Sequence, residues 1–344
     1  MAIKRIAVLT GGGDVPGLNA AIRAVVRRAE EKHLEVIGVR DGWRGLIDDE
    51  TVPLSRDAVS GILPKGGTIL GTSRTNPTKS PDGLARITAT LARHRIDALV
   101  AIGGDDTLGV AARLSQDGIA VVGIPKTMDN DVRGTDVTIG FDTAINTVME
   151  AIDRLHSTTE AHHRIMVVEV MGRDAGWVAA VGGLAGGADV VVVPEVPLDI
   201  DEICAVLRRR RATGRMFSIV VVAEGATLKD ASGQVAQGAT VDAFGHARLG
   251  GVGTALAGEI ERRMEWETRA TSLGHVQRGG SPTAFDRVLA TRFGIAAVDA
   301  LAAGRTGVMA ALRGTTIVTV PLDEVTKGSR LLDPEVYAAT RLFS

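Results

Sequence analysis

Two glycine-containing segments each follow a short apolar run, and their residue types suit phosphate and metal chemistry. The first, at 10–19, reads TGGGDVPGLN. Its glycines let backbone N–H groups approach a phosphate at the start of a helix. The second, at 103–107, places the carboxylates of Asp105 and Asp106 side by side. Because like charges disfavour joint ionisation, this pair suits Mg²⁺ or a cationic neighbour.

A third segment, at 125–131, reads PKTMDND and follows another apolar run. Lys126 could neutralise a phosphoryl group, and Asp129 and Asp131 could serve as a base and as a carboxylate near a metal. Each segment alone also has an ordinary interpretation: a strand-to-helix turn, carboxylates that cap a helix, or a polar surface loop. The first segment matches neither a P-loop nor a dinucleotide fingerprint, because Leu18 and Pro16 stand at positions that those motifs reserve.

Four further segments offer cations or imidazoles that suit a phosphorylated substrate. They lie at 163–164, 171–173, 268–270 and 275–280. The chain has no Gly-x-Ser-x-Gly motif, and its one cysteine, Cys204, lies within a helical pattern. Nucleophilic hydrolysis and a cysteine-rich metal site are therefore not expected.

The elements that position these segments alternate between buried strands and amphipathic helices. Continuous apolar runs predict strands at 5–10, 35–39, 98–102, 120–124, 164–170, 190–193 and 218–223. Helical patterns lie at 17–31, 81–94, 107–117, 142–162 and 200–211. This alternation is typical of an α/β fold with parallel sheets, in which ligands bind at the carboxyl ends of the strands.

Length and composition narrow the function classes. The chain has 344 residues, 39 Lys and Arg against 41 Asp and Glu, and a formal net charge of −2. This balance argues against a nucleic-acid or membrane-surface binder. We find neither a transmembrane segment nor the apolar core of a signal peptide, so a cytoplasmic protein is expected. Glycine, at 42 residues, indicates many tight turns and close backbone approaches to a ligand.

Taken together, these motifs closely resemble the bacterial-type 6-phosphofructokinase family, in the family's order, from residue 3 to about 305. The other matching positions are 66–68, 72–74, 171–173, 223–224 and 273–280. The resemblance implies an α/β fold of two αβα three-layer sandwich domains with mostly parallel sheets. It assigns 1–140 plus 256–305 to a phosphoryl-donor-binding domain and 141–255 plus 306–344 to a sugar-phosphate-binding domain.

The resemblance also implies roles for individual residues. Asp129 would be the general base that takes the proton from the 1-hydroxyl of fructose 6-phosphate, and Thr127 would contact the substrate. Asp105 would hold Mg²⁺, with Asp131 in the same charge cluster. Gly12 would offer its backbone N–H to the donor phosphate, and Arg74 would reach phosphate oxygens.

The sugar phosphate would be bound by a second set of residues, also carried over from the family. The residues lining the sugar would be Met171, Gly172, Arg173 and Glu224, with Arg173 also near the developing charge. His275 and Arg278 would bind the 6-phosphate. Arg164 and Arg269 would reach that phosphate from a neighbouring subunit, so we expect a homo-oligomer, dimer or tetramer, with shared active sites.

Two positions depart from the ATP-using pattern of the family, and they indicate pyrophosphate as the donor. Asp106 and Lys126 stand where ATP-dependent members usually have glycine. A carboxylate at 106 fills the room of the ATP α-phosphate and repels it, and a cation at 126 neutralises a phosphoryl group. An ATP-dependent phosphofructokinase stays as the alternative, because some ATP users of the family share the lysine at position 126. A non-catalytic sugar-phosphate sensor is a remote alternative.

Overall fold

The described part of this chain contains two parallel-rich sheets, a separate two-stranded antiparallel sheet and the helices that surround them. The computed structural model describes residues 3–227, 236–241 and 247–342. The strands of the described residues are β1 (Arg5–Thr10), β2 (Glu35–Val39), β3 (Thr51–Pro53), β4 (Ala98–Gly103), β5 (Val121–Pro125), β6 (Ile165–Val170), β7 (Val190–Val192), β8 (Ser218–Ala223), β9 (Ala236–Val241), β10 (Ala247–Leu249), β11 (Thr268–Ser272), β12 (Val308–Arg313) and β13 (Thr316–Pro321).

The helices connect these strands and cover the sheets. They are α1 (Leu18–Glu31), α2 (Trp43–Asp48), α3 (Gly83–Arg93), α4 (Asp105–Gln116), α5 (Phe141–Ala161), α6 (Trp177–Ala185), α7 (Ile200–Ala212), α8 (Val252–Met264), α9 (Ala284–Ala302) and α10 (Pro334–Arg341). Short 3₁₀ helices lie at Pro77–Lys79, Gly274–Arg278 and Leu322–Lys327. None of the helices in the described ranges is long and apolar enough to cross a membrane.

The larger sheet has the strand order β13-β12-β5-β4-β1-β2-β3. Its five central strands are parallel, and β3 and β13 pair antiparallel at its two edges. The smaller sheet, β11-β6-β8-β7, is parallel throughout. The predicted α/β class with mostly parallel sheets is therefore observed.

Both faces of the larger sheet are buried, as the continuous apolar runs predict. Along β1, Ile6 and Val8 join a core that extends to the smaller sheet, whereas Ala7 and Leu9 join a separate core on the opposite face. Helices α1 and α9 pack closely on the first of these faces. A Cβ at Gly294 would lie 2.8 Å from the carbonyl oxygen of Ala21, so this approach requires glycine.

The expected domain ranges misplace two segments. Strand β11 falls in the range assigned to the donor domain but pairs with β6 in the smaller sheet, Thr268 opposite Ile165. Strands β12 and β13 fall in the range assigned to the sugar domain, but β12 pairs with β5 in the larger sheet. The chain thus crosses from the larger sheet to the smaller one through α5, between β5 and β6, and returns through α9, between β11 and β12. The division into two domains otherwise stays a prediction.

Candidate active site

The three polar segments meet at one edge of the larger sheet. They follow β1, β4 and β5, which are neighbours and end at the same side. Backbone hydrogen bonds tie them together: Gly11 N donates to the Ile102 carbonyl at 2.9 Å, and Lys126 N donates to the Gly103 carbonyl at 2.9 Å. This is the edge at which open parallel sheets bind ligands.

Other parts of the chain pack closely against the glycine loop after β1. Gly12 has a φ of +78°, which favours glycine. A Cβ at Gly13 would lie 2.5 Å from a guanidinium nitrogen of Arg278. The N–H of Gly12, expected to meet the donor phosphate, instead donates to the Ser73 carbonyl at 3.1 Å. Gly12 lines the cleft, but its N–H is engaged within the chain because the loop folds back onto 72–74.

The side chain of Lys126, which follows β5, is buried against this glycine loop. Its side chain is 2 % exposed, and Nζ donates to the Gly13 carbonyl at 2.5 Å. Burial, together with the positive charge of Arg278, lowers the pKa of Lys126 to about 7. An arriving anion would favour the charged ammonium, so this side chain can respond to a phosphate bound beside the loop.

Asp129 sits on a tight turn that other polar residues brace. Its backbone N–H donates to Thr127 Oγ1 at 3.2 Å. Asn130, with a φ of +54°, accepts from Thr138 N at 3.0 Å, and Thr138 Oγ1 donates to the Thr127 carbonyl at 2.6 Å. Asparagine tolerates the left-handed region better than most residues. The turn therefore holds Thr127 and Asp129 in a fixed relation.

The carboxylate of Asp129 has an unsatisfied acceptor. Within the described residues, its Oδ1 is buried and has no hydrogen-bond partner. Burial raises the pKa of Asp129, while the positive charges of Arg278 and Arg173 oppose that shift. A buried acceptor without a partner is rare in folded proteins and often marks a functional group. This oxygen could accept a proton from a substrate hydroxyl.

Asp105 and Asp131 add two further carboxyl groups at the same place. Asp131 is buried, and burial together with the charges of Asp129 and Asp105 raises the pKa of Asp131 to about 8. In the described ranges no group of three or more acidic, His or Cys side chains is arranged to hold a metal. Mg²⁺, however, commonly binds through one or two carboxylates and completes its shell with water and phosphate oxygens. The carboxylates present fit that mode.

The residues expected to line the sugar follow the ends of β6 and β8 in the smaller sheet. Glu224 N donates to the Val170 carbonyl at 2.8 Å, which places Glu224 beside Met171 and Gly172. Burial and the charge of Asp129 raise the pKa of Glu224 to about 7. Arg173 pairs with Asp174 at 2.9 Å and lies close enough to Asp129 to affect its pKa. The two sheets thus present their carboxyl edges to one site.

Arg278 and His275 join this site through the 3₁₀ helix Gly274–Arg278. They line a cleft of about 260 Å³ together with Gly12, Gly13, Asp14, Thr72, Ser73 and Arg74. Arg278 donates to the Asp14 carbonyl at 3.3 Å, so it contacts the glycine loop as well as facing Asp129. Both residues were expected at the sugar 6-phosphate, and the structure places them beside the glycine loop.

Arg164 and Arg269 lie away from this site. Arg164 precedes β6, and Arg269 is near the start of β11. Both pair with Glu267, at 3.5 and 3.1 Å. A strand rises ~3.3 Å per residue, so the length of β6 separates Arg164 from Met171 by roughly 20 Å. Neither arginine reaches the site of its own chain.

Comparison with known proteins identifies the family. The phosphofructokinase family model, described as "Phosphofructokinase", matches residues 5–301. The chain belongs to the phosphofructokinase family. It is 56% identical to the pyrophosphate–fructose 6-phosphate 1-phosphotransferase of Amycolatopsis methanolica, covering 98% of this chain and 99% of that protein. It is 50% identical to the ATP-dependent 6-phosphofructokinase of Mycobacterium leprae, covering 97% of each.

A solved relative confirms the fold. The structure of phosphofructokinase from Saccharomyces cerevisiae is 34% identical, with a TM-score of 0.82, over 94% of this chain and 45% of that longer one. The predicted family and fold class are therefore confirmed.

Several residues of this phosphofructokinase site were missed by sequence reasoning. Asn130 lies within the third motif, and its residue type, which favours tight turns, could have revealed its bracing role. Arg330 contacts the turn that carries Asp129 from a distant part of the chain, and Asp286 caps the start of α5; no local pattern marks either residue. Arg330, on the segment after the last 3₁₀ helix, donates to the carbonyls of Asp131 and Asn130.

Proposed function

We propose that this chain catalyses the reversible, Mg²⁺-dependent transfer of a phosphoryl group from pyrophosphate to the 1-hydroxyl of fructose 6-phosphate. The products would be fructose 1,6-bisphosphate and orthophosphate. The observation that carries the choice of donor is the carboxylate of Asp106 in the first turn of α4, and the buried side chain of Lys126, which donates to the Gly13 carbonyl of the glycine loop, supports it. Pyrophosphate is small and highly charged, so a cation inside the donor loop suits it.

Asp106 carries this choice through its charge and its position. It lies in the first turn of α4, at the end of β4 and one residue from Asp105. A carboxylate at this place adds negative charge and volume on the donor side. That disfavours a third phosphate and the nucleoside attached to it, whereas pyrophosphate does not need the space.

The chemistry would run through residues that the two sheet edges bring together. Asp129 would accept the proton of the 1-hydroxyl as that oxygen attacks the terminal phosphorus of pyrophosphate and orthophosphate leaves. Lys126, Arg278 and Arg173 would stabilise the charge of the group in transfer. Asp105, with Asp131 beside it, would hold Mg²⁺, which neutralises phosphate charge when bound.

We also propose that the working unit is a homo-oligomer with shared sites. Arg164 and Arg269 are the residues that the family resemblance assigns to the sugar phosphate of a neighbouring subunit. Their position at the far end of β6 and β11 supports that assignment, because it removes them from the site of their own chain.

The donor is tested with purified protein, fructose 6-phosphate and Mg²⁺, with pyrophosphate or ATP as the sole donor. We expect activity with pyrophosphate, little with ATP, and a reverse reaction with orthophosphate. Lys126→Gly should lower pyrophosphate-dependent kcat/KM by about 10²–10³-fold, the scale of one lost charge-stabilising donor. Lys79→Gly, at an exposed lysine, is the matched control and should change it little.

Asp106→Gly should raise ATP-dependent kcat/KM, because it returns space and removes a charge. The two changes lie close together and should combine non-additively. Since relatives at 50% identity are named ATP-dependent enzymes, robust wild-type activity with ATP and none with pyrophosphate would establish the ATP-dependent alternative instead.

A further inference from the structure

The segment after the 3₁₀ helix Leu322–Lys327 runs between the two halves of the active site. At Arg330 its backbone N–H donates to the Asp131 carbonyl at 2.6 Å, and its guanidinium donates to the Asn130 carbonyl at 3.3 Å. Both carbonyls belong to the turn that carries Asp129. One residue from the carboxyl-terminal part of the chain thus holds the end of the catalytic turn at two points.

The same residue also contacts the sugar side of the site. Its guanidinium carbon lies 4.1 Å from the ring centroid of Trp177, and Trp177 Nε1 donates to the Arg330 carbonyl at 3.1 Å. Trp177 is buried and begins α6, directly after the loop that contains Arg173. A cation over an indole face is the strongest form of cation–π contact. Arg330 therefore touches the catalytic turn and the start of α6 together.

A neighbouring carboxylate strengthens this link. Glu195 accepts from Gly176 N at 3.0 Å and from Leu332 N at 2.8 Å. It therefore joins the start of α6 to the residue two positions after Arg330. The segment 330–332 is held against α6 by Trp177 and Glu195 and against the catalytic turn by Arg330.

We infer that Arg330 is a positioning residue, which fixes the turn bearing Asp129 relative to the sugar-side loop bearing Arg173. Its contacts are with Asn130, Asp131 and Trp177 rather than with the carboxylate of Asp129, so it acts through these residues. The inference rests on the proposed function only in taking Asp129 as the base. A displacement of ~1 Å in a reacting group can lower a rate about 10²-fold, so a two-sided anchor at this point matters for kcat.

The test compares Arg330→Met, Arg330→Lys and the control Arg292→Met. Arg292 also donates to a backbone carbonyl, that of Thr315, but on the exposed side of α9. Each purified variant is assayed with whichever donor the wild type uses, and its unfolding temperature and tryptophan emission are recorded. Failure of the pyrophosphate proposal therefore appears in the wild type, separately from the outcome for Arg330.

We expect Arg330→Met to lower kcat about tenfold or more, with KM for both substrates changed less than about threefold. Tryptophan emission should change because the cation leaves the Trp177 face, while the unfolding temperature stays near that of Arg292→Met. Arg330→Lys keeps the charge but not the planar fork, so its kcat should be intermediate.

Two results would overturn the assignment. One is a kcat for Arg330→Met within twofold of the wild type. The other is a loss of kcat that only follows a loss of unfolding temperature, which would mark a purely structural residue. If Arg330→Met does not fold, Arg330→Lys decides, and a wild-type kcat in that variant rejects the inference.

Discussion

Asp129 combines two features that a stable protein would normally avoid. Its buried Oδ1 has no hydrogen-bond partner in the described part of the chain, and burial raises the pKa of its carboxyl group. Leaving a buried acceptor unpaired costs about 1–3 kcal/mol. A substrate hydroxyl would satisfy this oxygen and supply the proton that it is placed to accept. Under the proposed function, Asp129 therefore gives up stability in the free protein for a contact that forms on binding.

Replacing this carboxylate tests its role directly. We expect Asp129→Asn to fold normally and to lose about 10²–10⁴-fold in kcat at saturating substrates, because it removes one proton acceptor and little volume. Asp136→Asn is the matched control, since Asp136 is on the same connection but is partly exposed, where it accepts from Gly314 N at 2.7 Å and pairs with Arg313 at 3.6 Å. A kcat for Asp129→Asn close to that of Asp136→Asn would reject Asp129 as the base.

At this scale, sequence reasoning finds residues that follow strands directly and misses those that arrive from elsewhere. Lys126 and Asp129 were identified because they follow β5, and the topology then brings them to the glycine loop. The contact of Gly12 N–H with Ser73 depends on how the 72–74 segment folds back, and Arg330 reaches Asp131 from 199 positions along the chain. Such contacts exist only after tertiary packing.

At the level of whole elements, the starts of helices α5 and α9 are joined by hydrogen bonds in both directions. Asp286, on α9 and fully buried, accepts from Gly140 N at 2.9 Å and from Thr143 N at 2.8 Å. Thr143 Oγ1 donates to the same carboxylate at 2.6 Å. In return, Thr283 Oγ1 donates to Asp142 at 2.6 Å. A carboxylate at a helix start satisfies free N–H groups and complements the helix dipole.

Because of these hydrogen bonds, replacing Asp286 by the similarly sized asparagine should destabilise the folded protein. Asp286→Asn places an amide NH₂ against backbone N–H donors, so it should lower the free energy of unfolding by about 1–3 kcal/mol, measured with urea. Asp299→Asn, on the same helix, removes a partly exposed pair with Arg28 and should cost about 1 kcal/mol or less. Equal losses for the two variants would contradict the capping role.

The difference in the free energy of unfolding between the wild type and Asp286→Asn should depend on pH in a definite direction. Burial raises the pKa of Asp286 to about 6, against ~3.9 in an unfolded chain. A raised pKa contributes stability that is present below pH ~4 and is lost as the pH rises through about 6. Asparagine does not titrate, so the gap between wild type and Asp286→Asn should narrow from pH 4 to pH 7. A gap that widens instead would mean that hydrogen bonds to the carboxylate outweigh its burial.

The elements themselves were predictable where one local pattern dominates. The seven predicted strands and five predicted helices are present, with strand ends within one residue and helix ends within two. Two of the other strands lack such a pattern. Strand β11, TRATS, is exposed at most positions and has no apolar run, and β3 has three residues. Their places are set by pairing with β6 and β2, which no local sequence encodes.

For the molecule as a whole, the question is whether neighbouring subunits share active sites. The evidence is that Arg164 and Arg269 both lie far from the site of their own chain. Both guanidinium groups lie near Glu267, at the amino-terminal ends of β6 and β11. An ion pair at a partly exposed position contributes little stability, so these arginines remain available to an anion from a neighbouring subunit. Shared sites predict a specific result when two inactive variants are mixed.

In that experiment, Arg164→Ala is mixed with Asp129→Asn under conditions of demonstrated subunit exchange. Alone, the first should bind sugar phosphate weakly, and the second should lack its base. In a mixed pair, one site combines an intact Asp129 with an intact Arg164 from the neighbour, and the other site carries both defects. Random pairing at equal amounts should therefore restore about a quarter of the wild-type sites if the contact is symmetric.

The matched control replaces the second partner with a subunit that carries both Asp129→Asn and Arg164→Ala. This partner can exchange but cannot supply the arginine, so no site in the mixture is complete. Arg269→Ala should complement Asp129→Asn in the same way, since Arg269 pairs with the same Glu267 carboxylate as Arg164. If activity in the test mixture stays at the sum of its components, as in the control, each active site is built within one chain, and the weak binding of Arg164→Ala has to arise from the packing of β6 and β11.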